Sequence, residues 1–132
     1  MNLESGVSVI ICCYNSAFRI EKTLKNLAFQ NINGNFKCEI IVVNNASIDD
    51  TEKVVNQVWE ECGNPYPLKI YFEVSPGLAF ARKCGVKNAR YSYSVFCDDD
   101  NWLAPDYLSK VFQIFKKSNK KIGVIGGAST PV

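Results

Sequence analysis

Three adjacent carboxylates, Asp98-Asp99-Asp100, follow directly on the apolar run Val95-Phe96-Cys97. Three anions side by side repel one another unless water or a cation screens them. Tyr93, Val95, Phe96 and Cys97 read as a buried strand. The acids then sit where that strand leaves its sheet. In open α/β sheets, ligands bind outside the carboxyl ends of the strands. The cluster therefore points to a divalent-metal site, with the rest of the chain bringing a phosphate-bearing ligand to it.

Other chemistries find less support. The 132 residues contain six cysteines, none in a C-x-x-C pair, and no histidine. A zinc site is disfavoured, and Ser-His or Cys-His nucleophilic catalysis within the chain is excluded. The cysteines fall in apolar strands or on helix faces, where a reduced thiol behaves as a small hydrophobe. Neither a Walker A sequence nor G-x-G-x-x-G occurs, so a P-loop or dinucleotide site has no basis. The net charge of +2 argues neither way on nucleic acid, and no nucleic-acid partner is expected. No apolar stretch is long enough to span a membrane. The N-terminus lacks the basic and apolar regions of a secretory signal. The cytoplasm is the expected compartment, with the inner face of the membrane as the alternative for a membrane-associated parent protein.

The elements that must position the acids can be read in order. At this length one domain is expected, burying about two thirds of its unfolded-chain surface. Residues 7–13 are nearly all apolar and β-branched, as in a central parallel strand. Asn15 or Ser16 can cap a helix over residues 17–30 with Ile20, Leu24, Leu27 and Ala28 inward. Residues 38–43 form a second strand. Asp49 opens a second helix, with Glu52 as its capping-box partner and Val54, Val55, Val58, Trp59 and Cys62 buried. Residues 68–73 alternate, as in a strand nearer the sheet edge. Ser75-Pro76 starts a third helix carrying Leu78, Ala81, Cys84, Gly85 and Ala89 on its packed face. The strand over 93–97 and a helix from Pro105-Asp106 follow, the latter with Leu108, Val111, Phe112 and Phe115 inward. Lys116, Lys117, Lys120 and Lys121 crowd its end, as a solvated cap on the helix dipole or as an anion-binding patch. Residues 122–127 read as a fifth strand. The expected fold is α/β, a mostly parallel sheet with helices on both faces.

Four segments together resemble the family 2 glycosyltransferases, an inverting group with the Rossmann-like GT-A fold. They are Val7-Ser8-Val9-Ile10-Ile11-Cys12-Cys13-Tyr14-Asn15, Ile41-Val42-Val43-Asn44-Asn45-Ala46-Ser47-Ile48-Asp49-Asp50-Thr51, Pro76-Gly77-Leu78-Ala79-Phe80-Ala81-Arg82-Lys83-Cys84-Gly85 and Phe96-Cys97-Asp98-Asp99-Asp100-Asn101-Trp102-Leu103-Ala104-Pro105. The resemblance implies a nucleoside-diphosphate sugar donor, a glycan or lipid-linked acceptor, and Mg²⁺ or Mn²⁺. It makes Asp98-Asp99-Asp100 a D-x-D motif, with Asp98 and Asp100 on the metal and Asp98 and Asp99 near the nucleotide sugar. Strand residues two apart share a side, so Asp98 and Asp100 could share one ion.

By the same resemblance Tyr14 stands against the nucleotide base, either stacking on it or plugging the sheet top. Cys12 and Cys13 replace a common Pro-Thr pair, and Cys12 joins the nucleotide contacts. Asn45 stands near the base edge, where an amide offers both donor and acceptor. Arg82 matches the arginine of an A-R-N segment. It contacts base, ribose or phosphate, or pairs with the acids. Asp49 resembles a helix cap more than a ligand. Trp102 packs below the acid loop or stacks on a sugar. The family domain normally runs about another hundred residues, so the chain is expected to be the N-terminal, nucleotide-binding part of a longer catalytic domain. The catalytic base and acceptor site are expected beyond Val132, and little transfer is expected from these residues alone. The alternative is a nucleotide-sugar-binding module without turnover.

Overall fold

The structure is a computed structural model that describes residues 3–32, 34–118 and 122–131. Its elements are β1 (Glu4–Cys13), α1 (Ile20–Ala28), β2 (Cys38–Asn45), α2 (Thr51–Glu61), β3 (Leu68–Glu73), α3 (Leu78–Asn88), β4 (Tyr91–Phe96) and α4 (Tyr107–Lys117). The four strands pair in the order β3-β2-β1-β4, every pair parallel. Their carboxyl ends therefore lie along one edge.

Alternation along the strands sorts the core into two layers, because successive side chains point to opposite faces. Val7, Val9, Ile11 and Cys13 of β1 share one face with Ile40 and Val42 of β2. Ile20, Leu24 and Leu27 of α1, Val55, Val58 and Trp59 of α2, and Leu108 of α4 cover it. Ile10, Ile41 and Val43 face the other way, under Ala81 of α3. Gly85 brings α3 close to that face: a Cβ there would stand 2.4 Å from Ile10 Cγ2. The expected α/β fold with helices on both faces is what the chain adopts.

Several expectations are corrected. Residues 122–131 form no regular structure, so the fifth strand over 122–127 is not formed. Gly123, Gly126 and Gly127 lie in or beside that stretch, and glycine weakens a strand. Residues 122–125 instead wall a cavity of about 500 Å³ against β4. Among the described residues no strand pairs beyond β4, which is an edge of the sheet. Phe96, expected to be buried, is 48% exposed, and Tyr93 is half-buried.

The helices begin later than the cap signals indicate. The Ser16 and Asn15 side chains do not cap α1, whose first turn follows a turn over residues 17–19. No capping box forms at α2. α3 starts after Gly77 rather than at Pro76, and Leu78 is half exposed. The Ser16 hydroxyl has another partner, described below, while Asp49 does accept the N–H of Thr51, the first residue of α2. The expectation for Lys120 and Lys121 lies outside the described residues.

Candidate functional site

At the carboxyl edge, β4 ends at Phe96 and the chain turns through the acids. The Cys97 N–H still donates to Ile10 O at 3.0 Å, and the Asn101 N–H closes a turn on Asp98 O at 3.1 Å. Asp98 to Asp100 thus occupy a turn, not a strand, and strand alternation does not govern where they point.

The three acids have different fates. The Asp99 carboxylate is 13% exposed and faces into the protein. Its Oδ2 accepts a hydrogen bond from Arg19 Nε at 2.7 Å and another from the Ser16 hydroxyl. The Thr23 hydroxyl donates to the Asp99 carbonyl at 2.8 Å. Asp98 and Asp100 are exposed, and their carboxylates make no hydrogen bond or ion pair among the described residues. Asp100 lines a cavity of about 500 Å³ with Phe18, Arg19, Lys22 and Trp102.

Sequence reasoning missed Arg19 and Thr23 altogether and gave Ser16 only a capping role. The available signal was their spacing. Ser16, Arg19 and Thr23 recur three and four residues apart, as on one side of a helix and its lead-in.

Ser16 is fully buried and joins three segments. Its N–H donates to Thr51 Oγ1 at 2.8 Å, while its hydroxyl donates to Asp99. The Thr51 hydroxyl in turn donates to Asp49 Oδ1, which also accepts the Thr51 N–H at 3.1 Å. Asp49 Oδ2 accepts the Ala17 N–H at 3.1 Å. Slight burial pushes the Asp49 carboxyl up, but the bonds from Thr51 and Ala17 outweigh it and hold it below the usual carboxylate range. Asp49 thus braces two loops at the start of α2. Asn15, at φ 48°, accepts the Ile48 N–H on its Oδ1 at 2.9 Å, fixing the neighbouring turn.

Tyr14 leaves β1 58% exposed, so its ring does not plug the sheet. Arg19 Nη2 donates to its carbonyl at 3.0 Å. One guanidinium therefore ties the Tyr14 backbone to the acid turn. Cys12 is half-buried. Burial pushes its thiol up to about 11, with the nearby Arg82 charge lowering it and Asp98 raising it. Arg82 and Asp98 thus each lie within electrostatic reach of Cys12. Arg82 is exposed, its guanidinium carbon 5.6 Å from the centre of the Phe96 ring. It pairs with no carboxylate among the described residues; the ion pair to the acid cluster is made by Arg19.

Asn45 is 6% exposed and its amide is nearly spent. Nδ2 donates to Glu73 O at 3.2 Å and to Ser75 O at 2.8 Å, and Oδ1 accepts the Gly77 N–H at 3.0 Å. These bonds hold the β3–α3 turn, where Gly77 takes φ 136°, a value that side chains disfavour. Trp102 stands beside α1 with Lys22 Nζ 3.5 Å from its ring centre.

No three His, Cys, Asp or Glu side chains group as metal ligands among the described residues. The protein's offer to a cation at the acids is Asp98 and Asp100, with their oxygens unengaged. Such a donor set suits a hard ion that keeps several waters and takes few carboxylates.

Residues 8–129 match the description of Glycosyl transferase family 2. Over 125 residues the chain is 30% identical to a poly-beta-1,6-N-acetyl-D-glucosamine synthase of Staphylococcus aureus (strain COL), covering 92% of this chain and 28% of that protein. S. aureus TarS 1–349, whose structure is also known in complex with UDP, superposes with a TM-score of 0.76 at 25% identity, covering 96% of this chain and 38% of that fragment. The mannosyltransferase PcManGT of Pyrobaculum calidifontis, solved with GDP-Man and Mn²⁺, gives a TM-score of 0.71 at 30% identity, covering 83% of this chain and 32% of the enzyme. The chain thus spans less than two fifths of the length of these relatives. With the match running over nearly all of its residues and the GT-A fold shared, this chain belongs to glycosyl transferase family 2.

Proposed function

We propose that the carboxyl edge of this sheet binds a nucleoside-diphosphate sugar for transfer of the sugar to a hydroxyl of a glycan or lipid-linked acceptor. The observation that carries this reading is the division among the acids. Asp99 is fastened inward, while Asp98 and Asp100 face solvent with their carboxylates unengaged among the described residues. Relatives solved in complex with UDP-GlcNAc and with GDP-Man and Mn²⁺ support it.

In this reading Asp98 and Asp100 hold Mg²⁺ or Mn²⁺, which when bound neutralises charge on the departing diphosphate. Arg82 adds a charge-assisted bond to phosphate or ribose. Tyr14 presents its ring to the base, and Cys12 forms the floor beside it. Asn45 acts through the turn it holds, setting where Gly77 and the start of α3 meet the nucleotide. The transfer is a single in-line displacement. The acceptor oxygen bonds to the anomeric carbon as the bond to the diphosphate oxygen breaks, a carboxylate base takes the acceptor's proton, and configuration inverts.

Soaking crystals with UDP-, GDP- and dTDP-sugars in the presence of Mn²⁺ tests the site. Density for a diphosphate between Asp98, Asp100 and Arg82 is expected. A nucleotide bound elsewhere, or none from the whole panel, overturns the reading.

No helix among the described residues is long and apolar enough to cross a membrane.

A further inference from the structure

We propose that Arg19 and Ser16 are positioning residues for the acid turn. By holding the Asp99 carboxylate inward, they aim Asp98 and Asp100 outward at the cation-bound diphosphate. The inference rests on the reading of the site given above and assigns work to residues outside the D-x-D motif.

The geometry makes the case in three steps. A turn carrying three neighbouring acids has no intrinsic preference for which acid faces the ligand. Asp99 is singled out by α1 and its lead-in, through Arg19 Nε at 2.7 Å and the Ser16 hydroxyl on the same Oδ2. Thr23, one turn further along α1, fixes the Asp99 carbonyl and so the peptide leading into Asp100. Backbone and side chain of the middle acid are therefore both clamped, the one by α1 and the other by its lead-in. That leaves the flanking side chains to project to the solvent side, where both are found.

The anchor is itself anchored. Ser16 is buried, its N–H is held by Thr51 at the start of α2, and its carbonyl accepts from Arg19 and Ile20. Arg19 also holds the Tyr14 carbonyl at 3.0 Å. A shift of Arg19 would thus move the two ligand-facing ends together, the aromatic after β1 and the acids after β4. Its Nε–H and Nη2–H reach two different acceptors from one planar group, an arrangement that lysine's single ammonium does not reproduce.

Residues that orient metal-ligating carboxylates through a second layer of hydrogen bonds typically change metal affinity about 10–100-fold when removed. The test is Mn²⁺ binding followed by electron paramagnetic resonance, with UDP and separately with GDP as the diphosphate. Wild type, Arg19→Ala, Arg19→Lys, Ser16→Ala and Asp99→Asn are compared, with the folded fraction of each measured by circular dichroism. Asp99→Asn keeps the size of the anchor, so it answers the question should Arg19→Ala not fold.

Expected is a loss of Mn²⁺–diphosphate affinity of about tenfold or more in Arg19→Ala and Asp99→Asn, per folded molecule, with partial recovery in Arg19→Lys. A merely structural role would lower the melting temperature and leave the affinity of the folded fraction unchanged, and that result overturns the proposal. Tight binding by wild type with equal binding by both variants defeats this inference alone. Absence of diphosphate-dependent Mn²⁺ binding in wild type defeats the site reading and this inference with it.

Discussion

Arg19 Nε stands 2.7 Å from Asp99 Oδ2, joining the lead into α1 to the turn after β4 across 80 residues of sequence. This pair engages the middle acid of Asp98-Asp99-Asp100 and leaves the carboxylates on either side without a partner among the described residues. It also shows why the three cannot be treated alike: the middle carboxylate is already engaged by a cation and a hydroxyl, whereas its neighbours face water.

Asn45→Ala removes three hydrogen bonds at a buried position and leaves the Gly77 N–H without its acceptor. A lost buried partner costs about 1–3 kcal/mol. A fall in unfolding free energy of that order in urea is expected, together with weaker donor binding, since the start of α3 and Arg82 lose their brace. Wild-type stability in the variant would contradict the role given to this amide.

Gly85→Ala tests the packing of α3. On an exposed helix the change stabilises by about 1 kcal/mol. Here the new methyl meets the fully buried Ile10 at 2.4 Å, and overpacking of this kind costs about 1–3 kcal/mol. Destabilisation in a urea titration is the predicted sign, and stabilisation would place α3 further from the sheet than described.

Burial holds the Cys13 and Cys38 thiols up to about 12, against an ordinary value of 9.0. For Cys13 the neighbouring Ser16 hydroxyl works in the opposite direction and the Asp99 charge adds to the rise. For Cys38 the Glu39 charge adds to the rise. Because the folded value lies above the unfolded one, the neutral thiols contribute stability fully below pH 9 and lose it as pH climbs through 12. Iodoacetamide at pH 9 should label these two cysteines slowly in the native protein and rapidly in guanidinium. Equal rates in both states would show that they are not buried.

Much of the fold was legible because its signals are local. The apolar run at residues 7–13 announces a covered strand, and Val7, Val9 and Ile11 do share one core face with Ile10 on the other. The four segments that carry the resemblance likewise mark the carboxyl edge. What could not be read was set by distant partners. Ser16 reads as a helix cap, but its hydroxyl is taken by Asp99, 83 positions away. Asn45 reads as a base-edge contact, but its amide is occupied by the turn after β3. The glycine-rich stretch at 122–127 has strand-like apolar residues, yet no pairing forms there.

The central claim is that Asp98 and Asp100 meet a cation that bridges to a nucleoside diphosphate, while Asp99 does not touch it. Melting temperatures with Mn²⁺ and UDP, and with Mn²⁺ and GDP, test it most directly, since a ligand selective for the folded state raises the midpoint. At least one nucleotide should raise the wild-type midpoint only when Mn²⁺ is present, and both Asp98→Ala and Asp100→Ala should abolish that metal-dependent rise. A rise that survives both substitutions, or that needs no Mn²⁺, contradicts the account.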